Sequence, residues 1–253
     1  MKKTLVMLSL CALFFGCTTD WGAPTTRNYP ISGPFNSLEV SDAFQVTVSD
    51  QVSDVVVTVG ELAHDNVEVK VVNGKLHIGF TSMRFNIYDG VATAIIPAAV
   101  LRDLSLSGAS SYTGDLSGDD VDIDLSGASA FTGNVVANKI DFDLSGASSC
   151  RGNVEAENID LDLSGASSVN IGGNCHSLMK IGLSGGSELR AAALNASAVR
   201  GNMSGGSYAD VTCCSALNVE LSGGSTLVYG TVSDDCHPDV NCPSSGGSIV
   251  RPR

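Results

Sequence analysis

The sequence predicts an all-β protein, a parallel β-helix whose coils are about 19 residues long. Three observations carry this. One phrase returns seven times: Leu106-Ser-Gly-Ala-Ser110, Leu125-Ser-Gly-Ala-Ser129, Leu144-Ser-Gly-Ala-Ser148, Leu163-Ser-Gly-Ala-Ser167, Leu183-Ser-Gly-Gly-Ser187, Met203-Ser-Gly-Gly-Ser207 and Leu221-Ser-Gly-Gly-Ser225. Its first Ser advances in steps of 19, 19, 19, 20, 20 and 18 residues. Before the phrase, apolar residues alternate with Asp, as in Val121-Asp-Ile-Asp-Leu125, Ile140-Asp-Phe-Asp-Leu144 and Ile159-Asp-Leu-Asp-Leu163, which puts the two classes on opposite faces of a strand. Five residues after the first Ser comes a second apolar column: Tyr112, Phe131, Cys150, Val169, Leu189, Ala209 and Leu227. Disordered low-complexity sequence does not hold apolar residues at a fixed phase. The Gly of each phrase, and a second set at Gly114, Gly133 and Gly152, read as corners. Seven such coils at about 4.8 Å each make a rod of roughly 34 Å.

From the N-terminus, Met1-Lys2-Lys3, the apolar run Leu5–Phe15 and Gly16-Cys17 read as a secretory signal, too short to span a bilayer. A small residue before Cys17 matches a bacterial lipoprotein signal, although Phe14 stands where an aliphatic residue is usual. Residues 1–16 are therefore expected to be a signal peptide, with Cys17 lipidated and 17–30 a polar tether on an outer membrane. Residues 31–253 read as one β-helix domain. Within it, 31–100 are irregular first coils and a cap, 101–230 regular repeats, and 231–253 a C-terminal cap.

In 31–100 the segments Ser37–Val40, Phe44–Val48, Val55–Val59, Val67–Val72, Lys75–Phe80 and Ala92–Ile96 read as strands. Asn73-Gly74 predicts a tight hairpin, Asp89-Gly90 another turn, and Pro97 the end of the last strand before the regular coils. An open solenoid end needs covering, and this region is expected to cover it.

The formal net charge is -13. Without residues 1–16 there remain 12 basic against 27 acidic residues, a net of -15. That argues against nucleic acid or an anionic membrane surface as partner. The acids are concentrated. Asp103, Asp122, Asp141 and Asp160 fall in one outward column, continued by Lys180 and Arg200; Asp124, Asp143 and Asp162 fall in the next. Two Asp about 5 Å apart repel by roughly 0.8 kcal/mol in water and about 3 kcal/mol at an effective dielectric of about 20. Two readings follow: solvated acids screened by salt, or calcium bound at Asp122, Asp124, Asp141, Asp143, Asp160 and Asp162.

Six cysteines follow Cys17. Cys150 falls in the column of Phe131 and Val169, and Cys175 in that of Val135 and Val154, so both read as core. Cys213, Cys214, Cys236 and Cys242 are the disulfide candidates: either a loop bridge from Cys236 to Cys242, or Cys213 or Cys214 joined to Cys236. Their spacing matches no zinc pattern. No Gly-x-Ser-x-Gly elbow or phosphate loop is present, so no catalytic residue is assigned and the many Ser read as corner residues.

The chain resembles the putative auto-transporter adhesin, head GIN domain family of Bacteroidetes-type bacteria. The resemblance is carried by the lipoprotein-like start, Phe35-Asn-Ser-Leu-Glu-Val40 with Phe44-Gln-Val-Thr-Val48, the turn Val72-Asn-Gly-Lys-Leu76, Pro97 ahead of Leu104-Ser-Leu-Ser-Gly-Ala109, and the serial Ser-Gly corners. It covers roughly 31–250. It implies a right-handed β-helix without established catalytic residues, a role in surface adhesion, and an oligomer. The expectation is a lipoprotein facing the cell surface or periplasm that binds a glycan, a protein or another copy of itself through its solenoid faces. The alternative is a carbohydrate-active β-helix enzyme of the polysaccharide lyase or hydrolase type.

Overall fold

The computed structural model describes residues 21–81 and 92–253. The signal segment, Cys17 and the Asp89-Gly90 turn lie outside the described residues. Before the repeats come β1 (Pro24–Tyr29), β2 (Ser37–Val40), β3 (Phe44–Ser49), β4 (Val55–Gly60), a 3-10 helix (Glu61–Asn66), β5 (Val67–Val72), β6 (Lys75–Phe80) and β7 (Ala92–Pro97). The regular part runs through β8 (Asp103–Leu106), β9 (Ser111–Thr113), β10 (Leu116–Leu125), β11 (Ala130–Thr132), β12 (Val135–Leu144), β13 (Ser149–Leu163), β14 (Ser168–Leu183), β15 (Glu188–Met203), β16 (Tyr208–Leu221) and β17 (Thr226–Thr231). Two short strands follow, β18 (Asp239–Asn241) and β19 (Ile249–Pro252).

The repeats stack in parallel and in phase. Val121, Ile123 and Leu125 of β10 stand beside Ile140, Phe142 and Leu144 of β12, and these beside Ile159, Leu161 and Leu163 of β13. All nine side chains are buried, and so is the whole Tyr112-to-Leu227 column. Burial of each large side chain contributes about 1.5–3 kcal/mol relative to exposure. Tyr112 and Phe131 stack with centroids 6.0 Å apart. Cys175 falls one column away from its expected place: it stacks on Ala156 and Ala196, because the 19-residue register holds through Ala156, which puts Val154 opposite Gly173, and shifts only between Ala156 and Asn158.

The corners explain the phrase. Gly127 has φ 71°, and a Cβ on it would stand 2.5 Å from the Gly108 carbonyl oxygen. Left-handed backbone and close stacking both demand glycine there. The closing Ser is buried and serves the same corner: Ser129 Oγ donates to Ser126 O at 2.9 Å and to Leu106 O of the previous coil at 3.3 Å. The second glycine set differs from expectation. Gly133 is not in the left-handed region; it is small because a Cβ would come within 1.9 Å of Gly114 O.

At the N-terminal end the chain order is not the stacking order. β2 pairs with β8 on one side and β6 on the other, and β3 pairs likewise with β9 and β7. The β6–β7 coil thus lies outside the β2–β3 coil, and antiparallel β5, β4 and β1 cover its edges. β1 comes from the stretch expected to be a tether. Its Tyr29 Oη lies 2.9 Å from His64 Nδ1, while His64 Nε2 lies 3.0 Å from Thr25 O, so the 3-10 helix binds this strand down. The Asn73-Gly74 hairpin joins β5 to β6 with both residues at positive φ, 53° and 77°. At the other end, 231–253 extend the solenoid further: β18 adds to β16 and β19 to β17, with a further Ser245-Gly-Gly-Ser248 corner.

Candidate partner-binding face

The inward alternation of β8, β10, β12, β13, β14, β15 and β16 fixes what faces out. One outward column is Asp103, Asp122, Asp141, Asp160, Lys180, Arg200, Asn218 and Asn241. The next is Ser105, Asp124, Asp143, Asp162, Gly182, Asn202 and Glu220. The six candidate calcium residues therefore stand side by side in two neighbouring columns, as their spacing predicts. They are spread along the columns, one pair per coil, and among the described residues no three acidic, His or Cys groups gather as a metal site.

The columns carry electrostatic strain. Burial first, and then nearby carboxylates — Asp141 and Asp143 of the next coil for Asp122 and Asp124, Asp160 of its own strand for Asp162 — hold these three above the usual carboxylate range. Basic residues relieve it only locally. Lys139 pairs with Asp141, and Lys180 Nζ lies 3.4 Å from Asp160. Arg200 makes no ion pair among the described residues.

Where acid gives way to base the surface dips. Gly182 contributes no side chain to its column, and the Asp162 carboxylate leans over it: a Cβ on Gly182 would stand 2.1 Å from Asp162 Oδ1. Two shallow grooves meet there. One, about 200 Å³, is lined by Asp143, Asp162, Gly182 and Asn202 among others. The other, about 260 Å³, adds Asp160, Lys180, Arg200 and Gly201. A third, about 450 Å³, continues from Asn202 past Glu220 to Ser245. Carboxylates, an amide and two cations along one open trough can hold hydroxyl-rich or charged partners by hydrogen bonds and ion pairs. The sequence placed the charges but missed the trough, whose only signal is Gly182 in an Asp column.

The cysteines resolve into three kinds. Cys214 is bonded to Cys236, tying the 232–238 loop to β16. The loop bridge from Cys236 to Cys242 does not form. Cys236 sits against the coil that carries Cys214, while Cys242 Sγ lies 3.8 Å from Leu217 O. Cys213 points inward and is free, as is Cys242. Burial pushes the Cys213 thiol up to about 11 and that of Cys150 up to about 12, so neither is a nucleophile at neutral pH.

Comparison with known proteins gives one family and several solved structures of similar fold. The family model described as "Putative auto-transporter adhesin, head GIN domain" matches residues 34–231. The search of curated proteins finds no match. Among solved structures, a putative lipid binding protein from Parabacteroides distasonis ATCC 8503 is 18% identical with a TM-score of 0.76, over 92% of this chain and 97% of that one. A putative adhesin from the same strain is 20% identical with a TM-score of 0.67, over 92% and 99%. A putative adhesin from Bacteroides fragilis NCTC 9343 is 16% identical with a TM-score of 0.61, over 91% and 97%. At these identities the likeness is one of fold.

Proposed function

The chain belongs to the putative auto-transporter adhesin, head GIN domain family, and from that premise we propose that it is an exported, lipid-anchored adhesin of the outer membrane. In this reading Cys17 carries the lipid, and the solenoid holds a glycan or protein partner on the acid-to-base face. The observation that supports it best is the open trough along that face, where Asp143, Asp160, Asp162, Lys180, Arg200 and Asn202 come together on rigid strands. No helix among the described residues is long and apolar enough to cross a membrane, so a lipid at Cys17 would supply the attachment.

Two measurements test the two halves. Changing Cys17 to Ala should move the protein out of the membrane fraction; unchanged partitioning overturns the anchor. Beads coated with the protein should bind at least one spot of a glycan array or of a panel of immobilised proteins that includes itself. The doubly reversed Lys180→Glu, Arg200→Glu protein should lose that binding. Binding that survives the reversal, or none on any surface, overturns the assigned face.

One observation favours the enzyme alternative: Asp160, Asp162, Lys180 and Arg200 put acid and base in one groove, as a polysaccharide lyase requires. The groove is shallow and open to water, which weakens catalysis by its charges. Release of unsaturated products from acidic polysaccharides would establish that alternative.

A further inference from the structure

We infer that the partner of the acid-to-base face is a second copy of this chain, docked face to face and antiparallel; this rests on the adhesin reading above and specifies its partner. The order of charges in the first column points to it. From the N-terminal end it reads Asp103, Asp122, Asp141, Asp160, then Lys180, Arg200, Asn218, Asn241, one residue per coil. Its midpoint lies between Asp160 and Lys180. A two-fold axis along the strand direction at that point reverses the solenoid axis and keeps each column opposite itself. Asp160 then meets Lys180 of the other copy, Asp141 meets Arg200, Asp122 meets Asn218, and Asp103 meets Asn241. Every residue of the column opposes a complementary one, twice over by symmetry.

The neighbouring column fits the same operation. Asp162 faces the gap over Gly182, and Asp143 faces Asn202. Asp124 opposes Glu220, the single like-charged pair, away from the axis. Arg200, which makes no ion pair among the described residues, gains one. The other copy brings the same excess of acid to the face, so the attraction is confined to the contact pairs that Lys180 and Arg200 make with Asp160 and Asp141, and to the Asp–Asn pairs beyond them. Eight coils about 4.8 Å apart and five residues of about 3.3 Å give roughly 600 Å² per copy. The total of roughly 1,200 Å² lies at the lower bound of specific interfaces, so the pairing is weak and governed by charge. Antiparallel docking also sends the two N-terminal ends apart, which suits molecules rooted in two facing membranes.

Charge exchange tests this with the purified protein. Sedimentation equilibrium should show dimers at about 0.15 M sodium chloride, where repulsion between the two net-negative copies is screened beyond about 8 Å while the contact pairs persist. Asp141→Lys with Asp160→Lys makes the column positive through its centre; Lys180→Glu with Arg200→Glu makes it negative. Each protein alone should be monomeric. Their equimolar mixture should form a one-to-one complex, since all four central pairs become opposite again. The positive variant mixed with Arg151→Glu, Arg190→Glu, reversed on the adjacent face, should associate much less. Thermal melts confirm that each variant is folded. No complex in the first mixture, or an equal one in the second, overturns the self-docking. If wild-type protein stays monomeric while still capturing a glycan or a foreign protein through Lys180 and Arg200, self-docking fails and the adhesin reading stands.

Discussion

Gly146 sits at φ 72° with the place of a Cβ only 2.5 Å from the Gly127 carbonyl oxygen. Both constraints fall on one atom, so Gly146→Ala should cost about 1–3 kcal/mol from backbone strain alone, and more from the clash. Gly186 is the control. A Cβ there would meet Gly165 O no closer than 3.8 Å, and the equivalent positions Ala109, Ala128, Ala147 and Ala166 already carry one. Gly186→Ala should therefore be nearly neutral. Urea melts of the two variants check this, and equal midpoints would mean the corners relax freely. A glycine in the sequence marks a corner without saying which constraint holds it. Gly133 lacks the positive φ that its position suggested, and only the depth of coil stacking explains it. Conversely Asp42 takes φ 61° at a corner with no glycine. Its carboxylate accepts from Phe80 N at 2.9 Å and from Ser41 Oγ at 2.7 Å. Aspartate tolerates the left-handed region, and nothing in the local sequence flags it.

The paired strands of each coil were legible because alternation with Asp is a period-two signal, and the recurring Ser-Gly sets the phase between coils. The same signal placed both acidic columns. Their energetics follow from neighbours rather than from spacing. The native carboxyls of Asp122, Asp124 and Asp162 titrate above the ordinary aspartate value near 3.9. Between that value and the raised ones the folded protein binds more protons than the unfolded chain, so stability falls as pH rises through the interval. Melting temperature should therefore rise as pH falls from neutral toward the ordinary aspartate value of about 3.9. Asp141→Asn with Asp143→Asn should flatten that rise by removing the repelling neighbours; an unchanged slope would assign it to other groups. The same pair of proteins tests calcium. With the carboxylates spread one pair per coil, calcium, magnesium and sodium at equal ionic strength should stabilise the parent equally, by screening. A larger shift with calcium that the double Asn variant loses would instead establish bound calcium.

At the scale of the whole molecule, what the sequence hid is order. Nothing in 31–100 announces that β6 and β7 stack outside β2 and β3, because long-range strand choice is set by which free edge remains after the neighbouring coil has formed. β1 escaped notice for a related reason: its residues are mostly polar and exposed, and it is held by pairing with β4 and by Tyr29 against His64, neither of which its own composition announces. The disulfide was ambiguous in sequence because the 232–238 loop can reach several cysteines, and only the coil register selects Cys214. The candidate face depends on all of this: one period must place the core on one side of every strand and the charged columns on the other. In a solenoid each coil is stable only against its neighbours, so a fault in the phase of one coil is felt along the rod. Thermal unfolding of Phe142→Asp and Asp143→Ala, adjacent residues of β12, tests that claim most directly. Phe142 is 2% exposed, and a carboxylate there would be buried without a partner, so the first variant should fail to fold or melt far below the parent. Asp143 points outward into a column of repelling acids, so the second should melt at or above the parent temperature. Equal melts for the two variants, or the reverse order, would contradict the assigned phase and with it the face.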